Sequence, residues 1–155
     1  HFKILEETIL ADGEPVLIFE DDVEVERSIF QPELHYPDDS DALYFGTSHG
    51  DNSYQAINQL DGWAKIVRVF STHAILHLNP AFSRDVIDEG KNHIYNLNRP
   101  FDVGIAYGVQ HKHNVYAPVH PLFYQADSKN TVNKWEGMTR TPLRTVKKFS
   151  TRTIG

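Results

Sequence analysis

The chain has 155 residues, of which 40% are hydrophobic and 23% charged, the composition of one globular domain with a single core and not of a disordered or fibrous chain. No apolar run reaches the ~18–20 residues that span a bilayer, and the opening His1-Phe2-Lys3-Ile4-Leu5-Glu6-Glu7 is too charged for a secretory leader, so no membrane span and a cytoplasmic location are expected. With no cysteine there is no disulfide framework and no thiolate site, which leaves carboxylates and imidazoles to hold any metal. The formal charge of −6 is uneven: residues 1–61 carry −13, residues 62–126 carry +2 and residues 127–155 carry +5. An acidic body repels polyanions, which argues against nucleic acid as a partner. The basic end, Lys129, Lys134, Arg140, Arg144, Lys147, Lys148 and Arg152, either meets a diphosphate or another anionic partner or is simply solvated; the domain is read over 1–130 and a basic C-terminal segment over 131–155.

In chain order, the sequence enters a strand-like run almost at once after His1, as a fragment of a longer protein would. Pro15 to Phe19 is a short continuous apolar run between Asp12-Gly13 and Glu20-Asp21-Asp22, which predicts a buried parallel strand. Ser28 is an N-cap for a helical turn through Ile29 and Phe30, and Tyr36 to Ser40 is turn chemistry. Ala42-Leu43-Tyr44-Phe45 predicts a second strand, stopped by Gly46. Residues 47–62 are polar, with Gly50, Asn52 and Gly62, and predict a long loop that could act as a lid. Two adjacent strands are expected over Ala64–Phe70 and Thr72–Leu78, the second with Thr72, Ala74, Leu76 and Leu78 on one face and His73, Ile75 and His77 on the other. Asn79-Pro80 places an N-cap before proline at the first helical position; Phe82, Val86 and Ile87 follow at helical spacing, and Gly90 supplies a stop. After a mixed segment from Arg99 to Asp102, Asn114 to Pro118 predicts an edge strand ending at proline.

Glu20-Asp21-Asp22 is the sharpest chemical feature, because ligands of open α/β sheets gather at the carboxyl ends of strands. Three consecutive carboxylates in a partly dehydrated cleft repel one another unless they are solvated or a hard divalent cation neutralises them. In an extended segment Glu20 and Asp22 share a face and Asp21 points away, so either Glu20 and Asp22 meet one Mn2+ or Mg2+ ion, or Asp22 does so alone with Asp21 supporting it from behind. A solvated acidic turn is the competing reading. The pair His49 and Asp51, with His111, His113 or His120, fits the facial triad of a non-haem iron oxygenase. His111 and His113 would share a strand face as an imidazole pair. Trp63, Tyr54, Trp135 and Phe123 suit stacking on sugars. P-loop, dinucleotide, serine-hydrolase and zincin motifs are absent from the sequence.

Val16-Leu17-Ile18-Phe19-Glu20-Asp21-Asp22-Val23 resembles the LILEDDV signature of the family 25 glycosyltransferases, the group of lipooligosaccharide and collagen galactosyltransferases. Further resemblances follow in order: Asp41-Ala42-Leu43-Tyr44-Phe45-Gly46 to the family's D-hydrophobic-YLG strand, and Ser71-Thr72-His73-Ala74-Ile75-Leu76 to its GTHAYLI strand. Asn79 to Gly90 stands in place of the next helix, Pro100-Phe101-Asp102 resembles a proline-hydrophobic-aspartate element, and Tyr116-Ala117-Pro118 with Gln125 and Ser128 resembles the closing P…Q…S segment. The resemblance spans about residues 14–130. It implies an α/β fold with a GT-A-like mixed sheet flanked by helices, and transfer of a sugar from a nucleotide diphosphate donor, a UDP-sugar first, to a glycan or other hydroxyl acceptor. It also implies Mn2+ or Mg2+ at Glu20 and Asp22, with Glu20, Asp21 and Asp22 at the donor diphosphate. Asp102 is the first candidate for the base that takes the acceptor proton and His73 the second. Ser71 stands where the family has glycine and Phe19 where it has leucine. In the family a nucleotide-binding segment of several strands and helices precedes the acidic motif, whereas nineteen residues do so here; either an incomplete domain or a reduced relative that binds its donor differently or not at all is therefore expected. A non-catalytic carbohydrate-binding or assembly module on the same fold is the alternative.

Overall fold

The structure is a computed structural model that describes residues 1–25, 34–47, 56–60, 62–70 and 72–126. The helical turn expected at 28–30, most of the expected lid, and the basic segment over 131–155 lie outside the described residues. At the start of the chain the structure corrects the strand expectation. Residues Phe2–Glu7 form α1 and Ile9–Asp12 form α2, because Leu5 and Ile9, four apart, put two fully buried side chains on one helical face. Gly13, at φ +76°, ends α2 in the left-handed conformation that glycine adopts without steric cost.

Six strands make one mixed sheet: β1 (Val16–Phe19), β3 (Ala42–Tyr44), β4 (Ala56–Leu60), β5 (Trp63–Ile66), β6 (Ala74–His77) and β7 (Val115–Pro118), in the spatial order β1-β6-β3-β7-β5-β4. The fold is α/β, as expected. A separate two-stranded ribbon pairs β2 (Val23–Val25) with β8 (Phe123–Gln125). β1 runs antiparallel to β6, which is antiparallel to β3, and β3 and β7 are parallel. Thus β1, β3 and β7 all point the same way.

Several strand expectations change in the tertiary context. β1 is an antiparallel edge strand with only Ile18 buried; Leu17 is 41% and Phe19 45% exposed. An apolar run records the avoidance of water on one face and says nothing about the direction of a neighbour. Asn114–Pro118 yields not an edge but β7, between β3 and β5, with Pro118 at the strand end where its missing N–H interrupts no ladder. The strands expected as adjacent are separated, since β5 lies between β7 and β4 while β6 lies between β1 and β3. Part of the expected lid is β4, which pairs with β5 across Gly62 at φ +82°.

Residues Pro80–Lys91 form α3, with the Asn79 side chain accepting from the Ala81 N–H at 2.8 Å and proline in the first turn. Gly90 does not end it. The helix continues through Lys91 into a π-helical turn at Asn92–Asn96, and a Cβ at Gly90 would come within 2.7 Å of the Phe2 ring; the glycine is there for close packing against α1. After α4 (Phe101–Gly108) comes a single 3-10 turn at Gln110–Lys112. Phe82, Val86, Ile87, Ile105 and Val109 from α3, α4 and the turn after it pack with Leu5 and Ile9 onto Ile18, Tyr44, Ile75 and Val115 of the sheet, each large side chain contributing about 2 kcal/mol of burial. A second cluster of Leu43, Phe45, Trp63, Ala74 and Tyr116 carries Val23 and Phe123 of the ribbon. Among the described residues no helix is long and apolar enough to cross a membrane.

Candidate functional site

β1 ends at Phe19, and the Glu20 N–H extends its ladder by donating to the His73 carbonyl at 2.9 Å. The chain then reverses: the Val23 N–H reaches the Glu20 carbonyl at 3.4 Å, and Val23 enters the ribbon opposite Gln125. Glu20 to Val23 is therefore a tight turn and not the extended segment expected. Glu20 and Asp22 are nevertheless half-buried while Asp21 is exposed; the reversal, not strand alternation, turns the two carboxylates inward. The turn sits at the carboxyl end of β1, the same sheet edge at which β3 and β7 end.

The sheet and ribbon supply the partners of these carboxylates. Glu20 Oε1 accepts from the Thr72 hydroxyl at 2.6 Å and has the His1 ring at 3.9 Å. Burial pushes the Glu20 carboxyl up from its ordinary range; the Thr72 bond opposes this, and the negative charges of Asp22, Asp102 and Asp21 add to it. Asp102 thus lies in the electrostatic reach of the turn, carried there by the first turn of α4, where its Oδ1 accepts from the Val103 N–H at 2.9 Å. A carboxylate in that turn complements the helix dipole.

Asp22 has two unlike oxygens. Oδ2 accepts from the Gln125 amide at 2.7 Å, and the Asp22 carbonyl accepts from the Ala126 N–H at 2.8 Å. Oδ1 is buried and has no hydrogen-bond partner among the described residues. An anionic oxygen without water or donor is costly unless something fills the position.

His73 is fully buried at the start of β6, its Nε2 3.4 Å from the Phe123 carbonyl. Burial lowers its proton affinity, against smaller opposing pulls from the Phe123 carbonyl and Asp22, so its imidazole is neutral at pH 7. Gly46, which ends β3, provides the space: a Cβ there would overlap both His73 Nε2 and the Phe123 carbonyl. The neighbouring Tyr44 hydroxyl is buried, which raises its pKa; a hydrogen bond with the Gln110 side chain opposes the rise, and the charge of Asp102 adds to it.

Glu20 with Asp22, His73 and Asp102, from three separate stretches of the sequence, thus lie toward one edge of the sheet, while Asp21 faces water. Thr72, Gly46 and Tyr44 were not singled out for this site by sequence reasoning, and Gln125 had no role assigned; only its place in the closing P…Q…S resemblance pointed to it. The imidazole pair does not form, because His111 lies on the 3-10 turn and is exposed while His113 leaves it. His113 bonds Asp85 at 2.8 Å and faces Asp41 at 3.6 Å, at the opposite edge of the sheet. His120 is exposed. Trp63 is a core residue whose Nε1–H donates to the His35 carbonyl at 2.8 Å, and Phe123 packs on Phe19 and Phe45. His49, Asp51, Tyr54 and Trp135 lie outside the described residues.

Among the described residues no three histidine or carboxylate side chains converge as a metal cage. The carboxylates at the turn are Glu20 and Asp22, the latter with its Oδ1 shielded from solvent and unpaired among the described residues; one or two carboxylates suit Mg2+ or Mn2+ when phosphate oxygens and water complete the shell. The buried, partnerless Asp22 Oδ1 fits that use. Comparison of the chain with protein-family models, with curated proteins and with solved structures finds no match.

Proposed function

We propose that the domain is a metal-assisted glycosyltransferase of the family 25 type, moving a sugar from a nucleotide diphosphate donor, a UDP-sugar first, to a hydroxyl of a glycan acceptor. The observation that carries this reading is the inward-facing acidic turn at the carboxyl end of β1, with Asp22 Oδ1 buried and unpaired among the described residues and Asp102 within electrostatic reach of Glu20. Asp22 and Glu20 would hold Mn2+ or Mg2+, which when bound offsets the negative charge of the departing diphosphate. Asp102, partly accessible at the start of α4, is the carboxylate suited to accept the acceptor's proton. The buried His73, bonded toward Phe123, acts by holding the turn, β6 and the ribbon together and not as a base.

A second reading, a non-catalytic carbohydrate-binding or assembly module, draws on the bonds that Thr72 and Gln125 already make to Glu20 and Asp22, which would also suit a structural latch. Calorimetric titration with UDP, with and without Mn2+, separates the two. Binding that requires Mn2+ supports transfer and directs a screen of sugar donors; binding of glycan with no response to UDP and Mn2+ supports the module.

A further inference from the structure

We infer that Gln125 is the positioning residue of the acidic turn: its amide holds Oδ2 of Asp22 and leaves Oδ1 as the oxygen offered to a divalent cation. The inference rests on the glycosyltransferase reading and deepens it. A carboxylate has two equivalent oxygens and turns freely about its terminal bond, so an oriented ligand needs one oxygen tied. Here the tie comes from the ribbon, where the pairing of Val23 with Gln125 sets the amide beside Asp22, and the Ala126 N–H fixes the Asp22 backbone at 2.8 Å. The resulting side-chain bond is 2.7 Å long and joins residues 103 apart in sequence.

The chemistry of the partner matters as much as its place. An arginine or lysine opposite Oδ2 would neutralise Asp22 and weaken its attraction for a cation. A neutral amide donates one hydrogen bond and leaves the full charge on the carboxylate. The buried Oδ1, which meets no donor among the described residues, is the other half of the same arrangement.

The test is calorimetry of UDP binding to the full chain at zero and at saturating Mn2+, comparing wild type with Gln125→Met, a side chain of similar length without a donor. The readout is the ratio of the two dissociation constants. Gln125→Met is expected to shrink that ratio by about tenfold or more; a general loosening of the site would weaken both affinities alike and leave the ratio undiminished. An undiminished ratio overturns this inference alone. Equal UDP affinity in wild type with and without Mn2+ overturns the glycosyltransferase reading and this inference with it. Should Gln125→Met fail to fold, Gln125→Asn keeps the amide but withdraws it by one methylene; a several-fold smaller ratio supports the positioning role, and a wild-type ratio overturns it.

Discussion

The two edges of the sheet are built on opposite plans. Where β3 and β7 begin, Asp41 accepts from the Asn79 amide at 2.6 Å and from the Asn114 N–H at 2.8 Å, while its carbonyl accepts from the N–H groups of Leu78 and Asn79. His113 bridges toward Asp85 and Asp41, and His77 bonds the buried Ser83 hydroxyl at 3.0 Å. Where β1 and β3 end, a carboxyl is pushed up in pKa and an oxygen of Asp22 is unpaired among the described residues. Polar groups that are closed on one another hold a fold, whereas groups left open at the end of a strand retain capacity for a ligand. The contrast explains why histidines and aspartates at both edges look alike in composition and differ in use.

Four outcomes test this contrast, in descending order of effect. Gly46→Ala is expected to cost at least about 3 kcal/mol in urea denaturation, since its Cβ overlaps backbone as well as the His73 ring; a cost below about 1 kcal/mol would mean that the ribbon is not packed against β3 as described. Acidification comes next. Burial pushes His77 down to about 4, so between the ordinary imidazole value near 6.5 and about 4 the unfolded chain takes up a proton that the folded chain refuses. Stability is therefore lost as pH falls through that window, by about 3 kcal/mol for His77. His73 acts in the same direction. Glu20, whose folded pKa is raised, acts the other way and regains stability as it protonates. His77→Gln should flatten the curve of stability against pH.

Asp41→Ala is expected to cost about 2 kcal/mol, because it strands the Asn114 N–H and the Asn79 amide. Asp22→Ala, by contrast, should change stability by less than about 1 kcal/mol, since it removes an unpaired anionic oxygen together with one hydrogen bond, while abolishing Mn2+-dependent UDP binding. Were Asp22→Ala to unfold the chain and Asp41→Ala to leave it stable, the assignment of the two edges would be reversed.

Much of the fold was legible where the signal was local. Asn79, Pro80 and the spacing of Phe82, Val86 and Ile87 marked the start and the buried face of α3, because capping and amphipathic spacing act within a few residues. Gly90 misled for the same reason: taken alone it reads as a stop, and only the Phe2 ring on its surface explains it. In the candidate site, Glu20, Asp22, Asp102 and His73 were visible as residue types with plausible chemistry. Thr72 and Gly46 were not, since a hydroxyl beside a carboxylate and a glycine beneath an imidazole have no signature along the chain.

An acidic triplet after an apolar strand, the lack of cysteine and a well-capped helix are properties carried by neighbours in the chain and are readable from it alone. Tertiary structure decided the order of the strands, the antiparallel edge position of β1, and the turn that brings Glu20 and Asp22 inward. It also decided that Gln125 ties one oxygen of Asp22 and leaves the other open. Pairing between distant segments depends on which surfaces meet when the core closes, and no local period or propensity encodes that choice.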